Sequence, residues 1–114
     1  MALNEYGVKL DKNGYAPSLF ETYPNNCYLC GREMPTERHE IFGGARRDKS
    51  KALGLWVNLC GGCHRTDKNA VHQSKDMAMA MKRTGQKKAM RVYGWSQEEW
   101  MQRFFKNYME VKDV

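Results

Sequence analysis

The chain has no run of apolar residues approaching the roughly 20 needed to cross a bilayer, so no membrane-spanning segment is expected. Met1 to Leu10 lack the charged and then apolar layout of a secretory signal, which makes a cytoplasmic location the expectation. No cysteine stands outside two C-x-x-C pairs, Cys27/Cys30 and Cys60/Cys63. Without a secretory signal, pairs so tightly spaced read as metal thiolates rather than as two disulfides. No βαβ pattern surrounds either pair, which argues against a thioredoxin-like redox role. Internal repeats and low-complexity tracts are lacking as well. Histidine is scarce: His39, His64 and His72 are all the chain has.

What is present is enough for one domain. A chain of 114 residues holds only a modest core, and its polar composition fits a soluble protein that needs a metal staple. The net charge of +6 is uneven, −1 over residues 1–26, +3 over 27–72 and +4 over 73–114. A phosphate-bearing partner suits that distribution, and so does a plain solvated surface.

Residues 1–26 read as an irregular arm whose aromatics, Tyr6, Tyr15, Phe20 and Tyr23, pack onto the domain. Residues 27–72 form the metal-clamped core. Within it, Glu37 to Phe42 reads as a strand, Ala45 to Lys51 as a basic loop, and Leu53 to Leu59 as a second strand. Residues 73–114 read as two helices. The first is capped by Ser74, reaches about Val92, and contains Gly85 as a kink or a close approach. The second opens on a capping box, Ser96 with Glu99, and repeats Trp100, Phe104 and Tyr108 every four residues. That aromatic stripe is expected in the core or at a homodimer face.

Four thiolates in two such turns satisfy a tetrahedral zinc, so Cys27, Cys30, Cys60 and Cys63 are read as one closed, structural site. Replacement of one cysteine by a histidine as ligand stays open. With four sulfurs in place, His64 has no room at that ion, although the second knuckle holds it rigidly alongside. It is therefore a candidate for a second metal, together with His39.

The segments His39-Glu40-Ile41-Phe42-Gly43-Gly44-Ala45-Arg46-Arg47 and Gly54-Leu55-Trp56-Val57-Asn58-Leu59-Cys60-Gly61-Gly62-Cys63-His64 resemble the HNH endonucleases, the His-Me finger or ββα-metal superfamily. The likeness is greatest to small zinc-bearing HNH proteins of bacteriophages and prophages, and it covers about residues 27–72. It implies an α+β fold, a zinc-stabilised ββα-metal core with a helical C-terminal extension. It also implies hydrolysis of DNA phosphodiester bonds, by nicking or cutting duplex or branched DNA. A catalytic divalent ion, Mg²⁺ or a related one, is implied at His39 and His64, with His72 as a further ligand if the chain turns back. Packaging or recombination proteins of a phage would be its other partners.

The sequence departs from the family pattern at two places. Aligned on Ile41-Phe42, His39 takes the ligand position and Glu40 the position of the general base. Shifted by one, His39 is the base, Arg38 stands where a ligand should, and Glu40 offers an oxygen to the metal. Asn58 stands two residues before Cys60 rather than further upstream, where it can simply bond backbone in the hairpin. DNA contacts are expected from Arg46, Arg47 and Lys49, with Lys51 extending the patch, and from a helical stripe of Arg83, Lys87 and Arg91. The alternative readings are a nucleic-acid-binding zinc module without catalysis and a protein-interaction adaptor built on the aromatic helix.

Overall fold

A computed structural model describes residues 2–109. It is a small α+β fold with a two-stranded sheet and helices. Strand β1 (Glu37–Glu40) pairs antiparallel with β2 (Trp56–Leu59), in the register Glu37 with Leu59 and His39 with Val57. Between them lie a 3-10 turn, Gly44–Arg46, and helix α1 (Arg47–Ala52). A π-helical turn, Gly62–Thr66, follows β2, and the chain continues into α2 (Lys75–Tyr93) and α3 (Gln97–Phe104). Among the described residues, no helix is long and apolar enough to cross a membrane.

Both strands are shorter than the sequence pattern implies. The Ile41 N–H still donates to the Leu55 carbonyl, but Phe42 N–H donates to the Ser50 hydroxyl, which in turn donates to Leu55 O. The buried Ser50 thus closes the end of the ladder. The basic stretch expected to be a loop is instead helical, divided between the 3-10 turn and α1. Asp48 in its first turn and Lys49 and Lys51 in its last complement the helix dipole. Leu53 and Gly54 form a turn before β2. Gly54 has φ +78°, and a Cβ there would lie 2.4 Å from the Pro17 carbonyl oxygen, so this position demands glycine.

Alternation along the strands gives the sheet two unlike faces. Val57 and Leu59, fully buried, point with Glu37 and His39 to one side. Trp56 and Asn58 point with Arg38 and Glu40 to the other. The irregular arm covers that second face: Trp56 Nε1 donates to Ala16 O, Ser18 Oγ donates to Trp56 O, and Asn58 N–H donates to Thr22 Oγ1. Tyr6 stacks on Tyr93, Tyr15 meets Trp56 edge-on, and Phe20 meets Tyr28. Tyr23 departs from the expectation and is 58% exposed.

The helices close the core around Phe42. Its ring lies 5.2 Å from Trp100, 5.0 Å from Phe104 and 5.4 Å from Tyr108. Ser74 caps α2 by accepting from Met77 N–H, and Gly94 ends it in the left-handed conformation. Gly85 is a close approach: a Cβ there would sit 3.0 Å from Ile41 Cγ2 and from Phe42 Cε2. Ser96 caps α3 as expected, but Glu99 turns to Arg103 instead of reaching back, so the capping box is half formed. Helix α3 ends at Phe104, with Phe105 at φ +65°, so Tyr108 is not helical. It reaches the core because its N–H donates to the buried Gln86 Oε1. The expectation for residues 110–114 lies outside the described residues.

Candidate functional site

Two separate groups of metal-ligating side chains converge. In the first, the Sγ atoms of Cys27, Cys30, Cys60 and Cys63 all lie within 4.8 Å of one another, close enough to hold a structural metal such as zinc. Each knuckle turns its own backbone toward sulfur, with Cys30 N–H donating to Cys27 Sγ and Cys63 N–H to Cys60 Sγ, both at 3.4 Å. Gly31, at φ +75°, lets the first knuckle close. Burial works against the Cys27 thiolate, but N–H donation from Cys30 and Cys60 outweighs it and brings its pKa down to about 6. Cys63 is pushed well up, by burial and by hydrogen bonding among the neighbouring thiols. A divalent cation relieves the conflict that arises when four thiolates share one space.

The second group is His39, His64 and His72, whose ligand atoms also lie within 4.8 Å of one another. Three elements bring them together. β1 directs His39 inward, where it is 9% exposed. The π-helical turn that starts beside the second knuckle places His64, which is 3% exposed. The chain then doubles back: Val71 N–H donates to Cys63 O, and His72 N–H donates to His64 O. Plain helical spacing would not pair His64 with His72, but this return sets their Nε2 atoms 3.0 Å apart. The other ring nitrogen of His64, Nδ1, lies 2.6 Å from Glu37 Oε1.

The electrostatics favour the neutral, ligand-competent form of His39 and of His72. Burial lowers the pKa of His39 to about 3, and the neighbouring His64, His72 and Lys82 act in the same direction. His72 is lowered too, by burial and then by His64 and Arg65. Glu37 is held low by hydrogen bonds from His64 and Arg65, which outweigh its slight burial. Neutral imidazole is the form that binds a metal.

The histidines line a cleft of about 370 Å³ together with Arg38, Glu40 and Arg47. Glu40 is on the strand face opposite His39 and is not one of the converging ligand atoms. Its carboxylate accepts from Tyr15 Oη at 2.5 Å and from Arg47 Nε at 2.8 Å. Burial and this bond to Glu40 raise the Tyr15 pKa to about 12. Asn58 faces the arm, and its carbonyl accepts from Tyr28 N–H, a backbone role.

The expected DNA-contacting cations are dispersed. Arg47 stays at the cleft, but Arg46 and Lys49 donate to the carbonyls of Phe104 and Arg103 and anchor the end of α3. The Lys51 ammonium lies 4.8 Å over the Tyr15 ring. Lys87 and Arg91 line a groove of about 240 Å³ with Phe20 and Tyr28. Among the described residues, Arg83, Lys87 and Arg91 make no ion pair.

Glu37 and Tyr15 are the site residues that reading the sequence misses. For Glu37 a signal was available, since strand alternation from His39 puts residue 37 on the same face. Tyr15 stands in an irregular arm with no period to reveal it. Compared with protein families, curated proteins and solved structures, the chain matches none.

Proposed function

We propose that this protein is a metal-dependent DNA endonuclease of the HNH type, with a ββα-metal site at His39, His64 and His72. The observation that carries the reading is the convergence of all three histidines at a second centre, distinct from the four cysteines, in a cleft edged by arginine. Three imidazoles fit a divalent transition ion better than Mg²⁺, which prefers oxygen ligands. A divalent ion held by His39, His64 and His72 would supply Lewis-acid polarisation of a phosphodiester and charge stabilisation for the leaving 3′ oxygen.

The chain's own residues take the remaining tasks. His39 is assigned as a ligand, because its ring nitrogen lies within 4.8 Å of those of His64 and His72. Glu40 stands at the position of the general base. Tyr15 and Arg47 orient its carboxylate within the cleft. Arg38 and Arg47 supply the guanidinium groups that hold the phosphate. The cysteine cluster, as a zinc site, fixes the knuckle from which His64 projects.

One observation favours a second reading, a zinc module that binds nucleic acid without cutting it. The Glu40 carboxylate is already occupied by two donors, and no imidazole takes its place. Plasmid nicking separates the two. Zinc-replete protein should nick DNA with Mn²⁺, Co²⁺ or Ni²⁺, and His39→Ala or His64→Ala should abolish nicking at unchanged zinc content. Absence of cleavage of plasmid, branched and single-stranded DNA with any of these ions or Mg²⁺ contradicts the nuclease.

A further inference from the structure

We infer that Glu37 is a positioning residue for the histidine centre, fixing the tautomer and direction of His64; the inference rests on the metal-binding reading above. The His64 ring is buried and has one polar neighbour at each nitrogen. Glu37 Oε1 lies 2.6 Å from Nδ1, and His72 Nε2 lies 3.0 Å from Nε2. An ionised carboxylate only accepts hydrogen bonds, so Nδ1 must carry the proton. Nε2 then presents its lone pair toward His39 and His72. Without the carboxylate, the ring can place its proton on Nε2 instead, where it blocks the ligand position.

Glu37 is itself held in place. It pairs in register with Leu59, the residue before Cys60, so the strand carrying Glu37 and the knuckle carrying His64 are locked together. Arg65, the residue after His64, donates from Nε to the same carboxylate oxygen at 3.2 Å. A bland alternative is that Glu37 serves only as the surface partner of Arg65. That pair is half exposed, with side-chain exposures of 61% for Arg65 and 48% for Glu37, and pairs of this kind contribute little. The two roles predict different outcomes for the two partners. Removing an outer carboxylate that orients a metal-binding histidine typically weakens metal affinity roughly 10–100-fold. Loss of Arg65 should leave that affinity nearly unchanged.

The test uses the full chain with its cysteine site loaded with zinc, and Ni²⁺ as the probe of the histidine centre. Calorimetric titration should show Glu37→Ala binding Ni²⁺ at least roughly 10-fold more weakly than the parent, at equal zinc content and melting temperature. Arg65→Ala should bind like the parent. Equal affinity for parent and Glu37→Ala, or an equal loss in Arg65→Ala, overturns the positioning role and leaves the metal centre standing. If the parent binds no Ni²⁺ beyond its zinc, both readings fall. A second measurement needs no variant. Nitrogen-15 NMR of the imidazoles, without added Ni²⁺, should find His64 protonated on Nδ1, and protonation on Nε2 alone overturns the inference.

Discussion

His64 and His72 face each other Nε2 to Nε2 at 3.0 Å, although they are eight positions apart in the chain. Two imidazole nitrogens at that distance cannot both present lone pairs unless a cation, a proton or a metal ion, lies between them. The backbone enforces the approach. Asp67 N–H donates to Gly62 O, and its carboxylate lies 2.7 Å from where a Gly62 Cβ would project. The knuckle, Gly62 and the return loop therefore act together to present a third histidine to the site.

The cysteine cluster should be indispensable to folding. One zinc per chain is expected by elemental analysis. Cys60→Ala, or prolonged chelation, should lose the cooperative thermal transition, because a structural zinc contributes on the order of 10 kcal/mol. Retention of the transition by metal-free protein would show that the core stands alone.

Gly85→Ala sets two opposed effects against each other. Alanine improves helix propensity by about 1 kcal/mol. Its methyl group, however, would meet Ile41 and Phe42 at 3.0 Å inside a filled core, and overpacking costs about 1–3 kcal/mol. The net expectation is a loss of about 1 kcal/mol, seen as a fall in melting temperature of about 4 °C. A rise would mean that the helix has slack at this point.

Gln86 is fully buried and holds residues 107 and 108 through two bonds, to Asn107 Oδ1 and from Tyr108 N–H. Gln86→Ala leaves the Tyr108 N–H without its acceptor, at about 1–3 kcal/mol, while Asn107 Oδ1 keeps the Met109 N–H. Tyr108 should then leave Phe42 and become more exposed, which tyrosine fluorescence quenching can follow. Unchanged stability and quenching would put the anchor elsewhere.

Acid should destabilise the fold through His39. Its folded pKa, about 3, lies below its ordinary value, so below about pH 6.5 the unfolded chain takes up a proton that the folded chain refuses. The stability owed to neutral His39 is thus complete above that pH and is lost as the pH falls. Between about pH 7 and 5, the melting temperature of the parent should fall more steeply than that of His39→Gln. Parallel slopes would mean that His39 is readily protonated in the fold.

Much of this was legible in the sequence, for physical reasons that differ by element. The two C-x-x-C turns and the Ser74 and Ser96 caps follow from local chemistry, and all are present in the fold; at Gly85 local chemistry left a kink or a close approach open, and contact with Ile41 and Phe42 decides for the second. Helix α1 was not legible, because its stability comes from the buried Ser50 and its contacts rather than from an apolar period. Tyr108 kept its place in the aromatic cluster although the helix that was to carry it stops at Phe104. Arg46 and Lys49 show the limit of reading charge: both are basic, yet they anchor the end of α3. The meeting of His72 with His64 depends on a tertiary return that no spacing rule encodes.

Metal stoichiometry tests the proposed centre most directly. Zinc-loaded protein, titrated with Ni²⁺ by calorimetry, should bind one further ion, and His64→Ala should lose that ion while keeping its zinc. No second ion in the parent, or an undiminished one in His64→Ala, would contradict a metal centre at His39, His64 and His72.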